Sequence, residues 1–104
     1  MMLLLIAAVA AAPISLSTVT GGMIADECSH SEGLKLDVCA SYVLGVADTL
    51  QLEHKTCRPP SEAATLQTLT IARRYLSNHP EKWGGHPSFL IRVALVQAFP
   101  CRTR

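Results

Sequence analysis

The chain has 104 residues, 49% of them hydrophobic, 16% charged and 5% aromatic, with a formal net charge of +1. That length suits one small domain, and no basic stripe is interleaved with aromatic side chains, which argues against nucleic acid as a partner. The four cysteines, Cys28, Cys39, Cys57 and Cys101, are even in number and lie behind an apolar start, the pattern of a disulfide framework in an exported domain.

Met1 to about Ala25 carries no charged side chain. The run from Leu3 to Ala12 is apolar, long enough for a signal-peptide core and too short to span a bilayer. Pro13 and the Ser, Thr and Gly residues through Gly22 interrupt it, and no Lys or Arg precedes it. The expected organisation is a signal peptide over 1–25 and a helical domain over 26–104, free of the membrane once cut, with an uncleaved anchor as the alternative. Cleavage after Ala12 or after Ala25 both stay open: Pro13 would follow the first cut, and Met23 sits poorly for the second.

The first expected helix runs from about Leu36 to Glu53, with Cys39, Val43, Val46 and Leu50 on one face and Tyr42 and Ala47 beside them. Asp37 is placed to support its first turn. Gly45, mid-helix, costs about 1 kcal/mol relative to Ala and suggests either a close backbone neighbour or a weak spot. Pro59 and Pro60 end the segment. The second helix starts at Pro60 or Ser61, carries a stripe of Leu66, Leu69, Ala72 and Leu76 with Ile71 and Tyr75 beside it, and ends near Asn78 ahead of Pro80. The third follows Gly84-Gly85-His86-Pro87, with Phe89, Val93 and Val96 in one row, Leu90, Ala94 and Leu95 widening it, and Pro100 closing it. No strand-like alternation of useful length occurs. The fold class is therefore all-α, a small disulfide-stapled bundle of three to four helices. With roughly 80 residues left after the leader, such a core is marginal without staples.

Helix geometry limits the disulfide pairing. A continuous helix separates Cys39 from Cys57 by up to ~27 Å, at about 1.5 Å per residue. A bridge needs Cα atoms within about 7 Å, so Cys39–Cys57 and its companion Cys28–Cys101 are excluded. Short connections make neighbouring helices antiparallel, which brings the end of the third helix near the end of the first. That favours Cys57–Cys101 with Cys28–Cys39; Cys28–Cys57 with Cys39–Cys101 is the remaining alternative.

Catalytic chemistry finds little support. Disulfides would consume any cysteine nucleophile, there is no Gly-x-Ser-x-Gly elbow, and Asp48 and Glu53 do not share a helix face. His79, Glu81 and His86 flank a Gly-rich turn, a conceivable metal corner without fixed ligand geometry. No enzyme, metal or cofactor is expected. From Asp26 to Cys57 the chain holds six acids and two bases; from Arg58 onward it holds seven bases and two acids. Such asymmetry can steer a protein partner or a second copy of the chain, or simply solvate outward faces.

One ordered set of residues spans nearly the whole mature chain: Cys39-Ala-Ser-Tyr42-Val-Leu-Gly45-Val-Ala-Asp48, Cys57-Arg-Pro59, Gln67, Tyr75-Leu76-x-x-His79-Pro80-Glu81, and Ala94-Leu95-x-x-Ala98-Phe99-Pro100-Cys101. This set resembles the Rap/Tai family of immunity proteins of type VI secretion systems. The resemblance implies an all-helical periplasmic protein, often a homodimer. It would bind and inhibit a peptidoglycan amidase effector from a sister or neighbouring cell, and so neutralise the toxin. Trp83-Gly84-Gly85 departs from the polar, helix-friendly sequence the family tends to carry there. Tyr42, Leu76 and Phe99 read as core. Asp48 and Gln67 are expected to bond each other or a helix end, and Glu81 to cap the turn after Pro80. The expected partner surface is the Asn78–Pro87 turn with His79, Glu81, Trp83 and His86, and beside it the Glu53–Pro60 turn. Trp83 reads equally as an aromatic anchor for a partner and as a seal on the core. The competing function is a small helical acid-stress chaperone.

Overall fold

The computed structural model describes residues 16–102, and the apolar run from Leu3 lies outside them. Four helices form a bundle: α1 (Gly21–Ser29), α2 (Val38–Leu52), α3 (Glu62–Asn78) and α4 (Pro87–Ala98), with a short 3₁₀ turn over Pro80–Lys82. Cys28 is bridged to Cys39 and Cys57 to Cys101, with Cα atoms 4.8 and 4.9 Å apart. These are the pairs that helix geometry favours.

Each helix starts on a side chain that satisfies an otherwise orphaned backbone N–H. Thr20 caps α1, Asp37 caps α2 by accepting from the Ala40 N–H, Ser61 caps α3 by accepting from the Ala64 N–H, and His86 caps α4 with Pro87 at the first helical position. Pro60 therefore lies before the cap, and α2 begins at Val38 rather than Leu36. Helix α2 ends in a Schellman arrangement. The His54 N–H donates to the Gln51 carbonyl and the Lys55 N–H to the Leu50 carbonyl, with His54 at φ 58°. Two prolines follow, but the chain has already turned on a left-handed histidine.

The core collects Val43, Ala47 and Leu50 from α2, Leu69, Ala72 and Leu76 from α3, and Leu90, Ile91 and Leu95 from α4, each under a tenth exposed. Ile24, Ala25 and Cys28 of α1 close it. Leu76 and Phe99 are buried as expected, and Tyr42 packs half-buried against the cluster.

Three expectations need correcting. Leu66 is 40% exposed, and Thr68 occupies the inward position instead, its hydroxyl donating to the Ala64 carbonyl at 2.7 Å so that no polar group is stranded. On α4 the row of Phe89 and Val93 faces outward, 58% and 43% exposed, while Ile91 is fully buried. Gly45 meets no close neighbour, since a Cβ built there has nothing within 4 Å, so close packing inside the chain is not its reason.

Candidate partner-binding surface

The turn between α3 and α4 carries all four residues that the sequence nominates for partner contact, and the fold holds each differently. His79 caps the end of α3, its ring stacked against Tyr75 at 4.3 Å between centroids and its Nδ1 3.0 Å from Glu81 Oε2. That hydrogen bond is the main reason the Glu81 carboxyl is held below its ordinary value. Glu81 therefore pairs with His79 rather than capping the turn after Pro80. Lys82 Nζ donates to the Tyr75 hydroxyl at 3.1 Å, which raises the lysine pKa and fixes a cation beside the carboxylate. Trp83 is 36% exposed, and its indole N–H donates to the Leu76 carbonyl at 2.8 Å. One ring thus closes the end of α3 and still shows an edge to solvent.

His86 faces away from this group. Its Nδ1 accepts from the Ser88 N–H, so the ring proton sits on Nε2, 3.1 Å from the Ser17 hydroxyl. His79 and His86 serve separate helix ends, and among the described residues no three His, Cys, Asp or Glu side chains converge as metal ligands.

The turn is also clamped from outside. The Gly21 and Gly22 N–H groups at the start of α1 donate to the carbonyls of Gly85 and Trp83 at 2.8 and 3.0 Å. This contact is close enough to favour glycine: a Cβ on Gly21 would lie 2.7 Å from Leu90 Cδ1 and 3.0 Å from the Gly85 oxygen, so the leucine and the turn would have to give. Composition gave no hint of it, because residues 21–25 look like the tail of a leader.

The second nominated turn, after α2, is built on Gln51. Its Oε1 accepts from the buried Thr56 hydroxyl at 3.1 Å and from the Arg58 N–H at 3.2 Å. The Arg58 guanidinium reaches Asp48 at 2.7 Å, so Asp48 holds this turn and does not bond Gln67, which is exposed on α3. Across the bundle, Arg73 donates to the Ser31 hydroxyl and the Gly33 carbonyl, fixing the α1–α2 loop.

A second surface was not legible in the sequence. An apolar groove of about 570 Å³ runs between α2 and α4, floored by Tyr42, Gly45 and Val46 and walled by Phe89, with Glu53 and Arg92 at its edges. Among the described residues no helix is long and apolar enough to cross a membrane.

A family model for Rap1a immunity proteins matches residues 20–101, most of the chain and all four helices. The chain belongs to that family. No curated protein and no solved structure matches it. Membership makes this an immunity protein, whose partner is a toxin and whose action is binding rather than turnover. The match begins at Thr20, the residue that caps α1. The α3–α4 turn is exposed, chemically mixed and held at both ends.

Proposed function

We propose that this Rap1a immunity protein acts in the periplasm. There it binds and inhibits a peptidoglycan amidase delivered by a type VI secretion system, protecting its own cell from sisters or neighbours. The observation that carries the reading is the pre-organised turn over residues 78–87. A loop that must enter a catalytic cleft loses affinity to the entropy of ordering, and a loop already held loses less. Here Leu76 and the first turn of α1 hold it, leaving an edge of Trp83 and the Glu81–His79 pair outward. Trp83 supplies aromatic area for a hot spot, and Glu81 and Lys82 supply charge for register. Two disulfides suit an oxidising compartment.

A homodimer through the α2–α4 groove completes the proposal. The groove is apolar, Gly45 leaves room for a close backbone, and Glu53 and Arg92 line the same patch. Opposite charges on one self-facing surface meet their complements under two-fold symmetry.

Co-expression tests the function. A type VI peptidoglycan amidase from the same genome, directed to the periplasm of a sensitive cell, is expected to lyse it. Co-production of this protein restores growth, and purified mixtures give a stable complex with no cell-wall hydrolysis. Persistent lysis despite ample folded protein would sink the reading. Trp83→Ala, checked for retained helicity, is expected to weaken the complex at least tenfold.

A further inference from the structure

The two cutting points that the sequence leaves open, after Ala12 and after Ala25, give different molecules. Residues Thr20 to Ala25 are uncharged and largely apolar, so composition assigns them to the leader. The fold uses every turn of them. Thr20 Oγ1 accepts from the Met23 N–H at 3.1 Å and starts α1. Gly21 and Gly22 supply the donors that clamp the Trp83 and Gly85 carbonyls. Ile24 and Ala25 are each 5% exposed within the core. Upstream, Val19 packs against that core and the Ser17 hydroxyl lies 3.1 Å from His86. A cut after Ala25 removes five of the nine residues of α1. The remaining stub, Asp26 to Ser29, is too short to keep a helical turn of its own and would hang from the Cys28–Cys39 bridge.

We propose that the leader is removed upstream of Thr20, so that the mature chain keeps all of α1. This rests on the export assumed in the proposed function. Leader cleavage reads small side chains at the third and first positions before the bond. Upstream of Thr20, Ala8 with Ala10 and Ser15 with Ser17 both supply such a pair. A cut after Ala25 puts Met23 at the third position, and a cut after Ala12 puts the proline nitrogen at the bond itself. The apolar run from Leu3 to Ala12 lies inside the usual range of about 7–15 residues for such a leader. The placement also ties processing to binding, because the α3–α4 turn keeps its two outside donors only if Gly21 and Gly22 survive.

The test is the intact mass and N-terminal peptide of the full-length gene product recovered from the periplasm of a producing bacterium. The expected chain begins upstream of Thr20 and contains all of α1. A periplasmic chain beginning at Asp26, or anywhere beyond Thr20, overturns the proposal and leaves export standing. An uncut chain retained in the cytoplasm overturns the export reading itself.

Discussion

Replacing both Cys57 and Cys101 by Ala isolates what a long cross-link does for a small bundle. The bridge spans 44 positions in sequence, against 11 for Cys28–Cys39. In the chain-entropy treatment, closing the longer loop stabilises by about 4 kcal/mol and the shorter by about 3 kcal/mol. Location makes the longer bridge the cleaner case. Cys57 is exposed and Cys101 half-buried, so removing their sulfurs opens little cavity, whereas Cys28 and Cys39 are buried. The native geometry at this corner has other supports: the Cys57 N–H donates to the Phe99 carbonyl at 2.9 Å, and Thr56 is bonded to Gln51. The variant is therefore expected to keep its native near-ultraviolet spectrum while losing about 4 kcal/mol in urea titration. For a domain of this size that corresponds to a fall of about 15–30 °C in Tm. The urea slope is expected to rise, since an unlinked denatured chain exposes more surface. A loss below about 1 kcal/mol, or a native spectrum altered before unfolding, would refute the reasoning, because the bridge would then act on the folded state and not on the denatured ensemble.

The remaining predictions probe local devices. His54→Gly relieves a left-handed residue at the end of α2 and is expected to stabilise by about 1 kcal/mol in urea titration. Gln51→Ala strands the hydroxyl of Thr56, which is 1% exposed, and is expected to cost about 1–3 kcal/mol by the same measurement. Phe89→Glu puts a charge in the α2–α4 groove and is expected to leave Tm within a few degrees while abolishing the proposed dimer in analytical ultracentrifugation. Acidification is expected to weaken the fold through Asp37, whose carboxyl is held below its ordinary value by the Ala40 N–H first and the Ser31 hydroxyl second. A depressed folded pKa adds stability that is complete above the unfolded value and is lost as pH falls through the folded one. The urea midpoint should therefore drop below about pH 4, and the drop should be smaller in Asp37→Asn.

The parts of this fold that the sequence expresses are those that a single residue type decides. Asp37 and Ser61 are legible as helix-start residues because a short polar side chain near an apolar stripe suits that place, although the sequence sets Asp37 one residue inside the helix and leaves Pro60 as a rival to Ser61. The disulfide pairs follow from helix length and antiparallel order, neither of which needs side-chain detail. Helix α4 shows where periodicity fails. Phe89, Leu90, Ile91, Val93, Ala94, Leu95 and Val96 make it apolar nearly all round, so no stripe marks the buried face. The face is chosen by packing against α2 and α3, which turns Ile91 in and Phe89 out. The same ambiguity hides the groove, since Phe89 reads as core until its neighbours are known. The Gln51–Thr56 pair and the His54 turn depend on φ, ψ and a reverse bend, and leave no mark in composition.

Helix α1 is the instructive failure, and it bears on function. A secretory leader and a buried helix both select small apolar residues, the first for the export machinery and the second for the core, so Gly21 to Ala25 satisfy either reading. What distinguishes them is local chemistry that a hydropathy scan ignores. Thr20 stands three residues before Met23, where a cap belongs, and Ile24, Ala25 and Cys28 recur at helical spacing. The family match starting at Thr20 falls on the same boundary. If that boundary holds, the α3–α4 turn is not an isolated loop but one side of a joint whose other side is the first turn of the mature domain. Substitutions at Gly21 should then weaken effector binding without touching any effector contact. Gly21→Ala would force its Cβ against Leu90 and the Gly85 carbonyl, so the turn must shift for the helix to stay. A complex of unchanged affinity in that variant, with the fold intact, would show that the turn tolerates movement and that its rigidity is not what the partner reads.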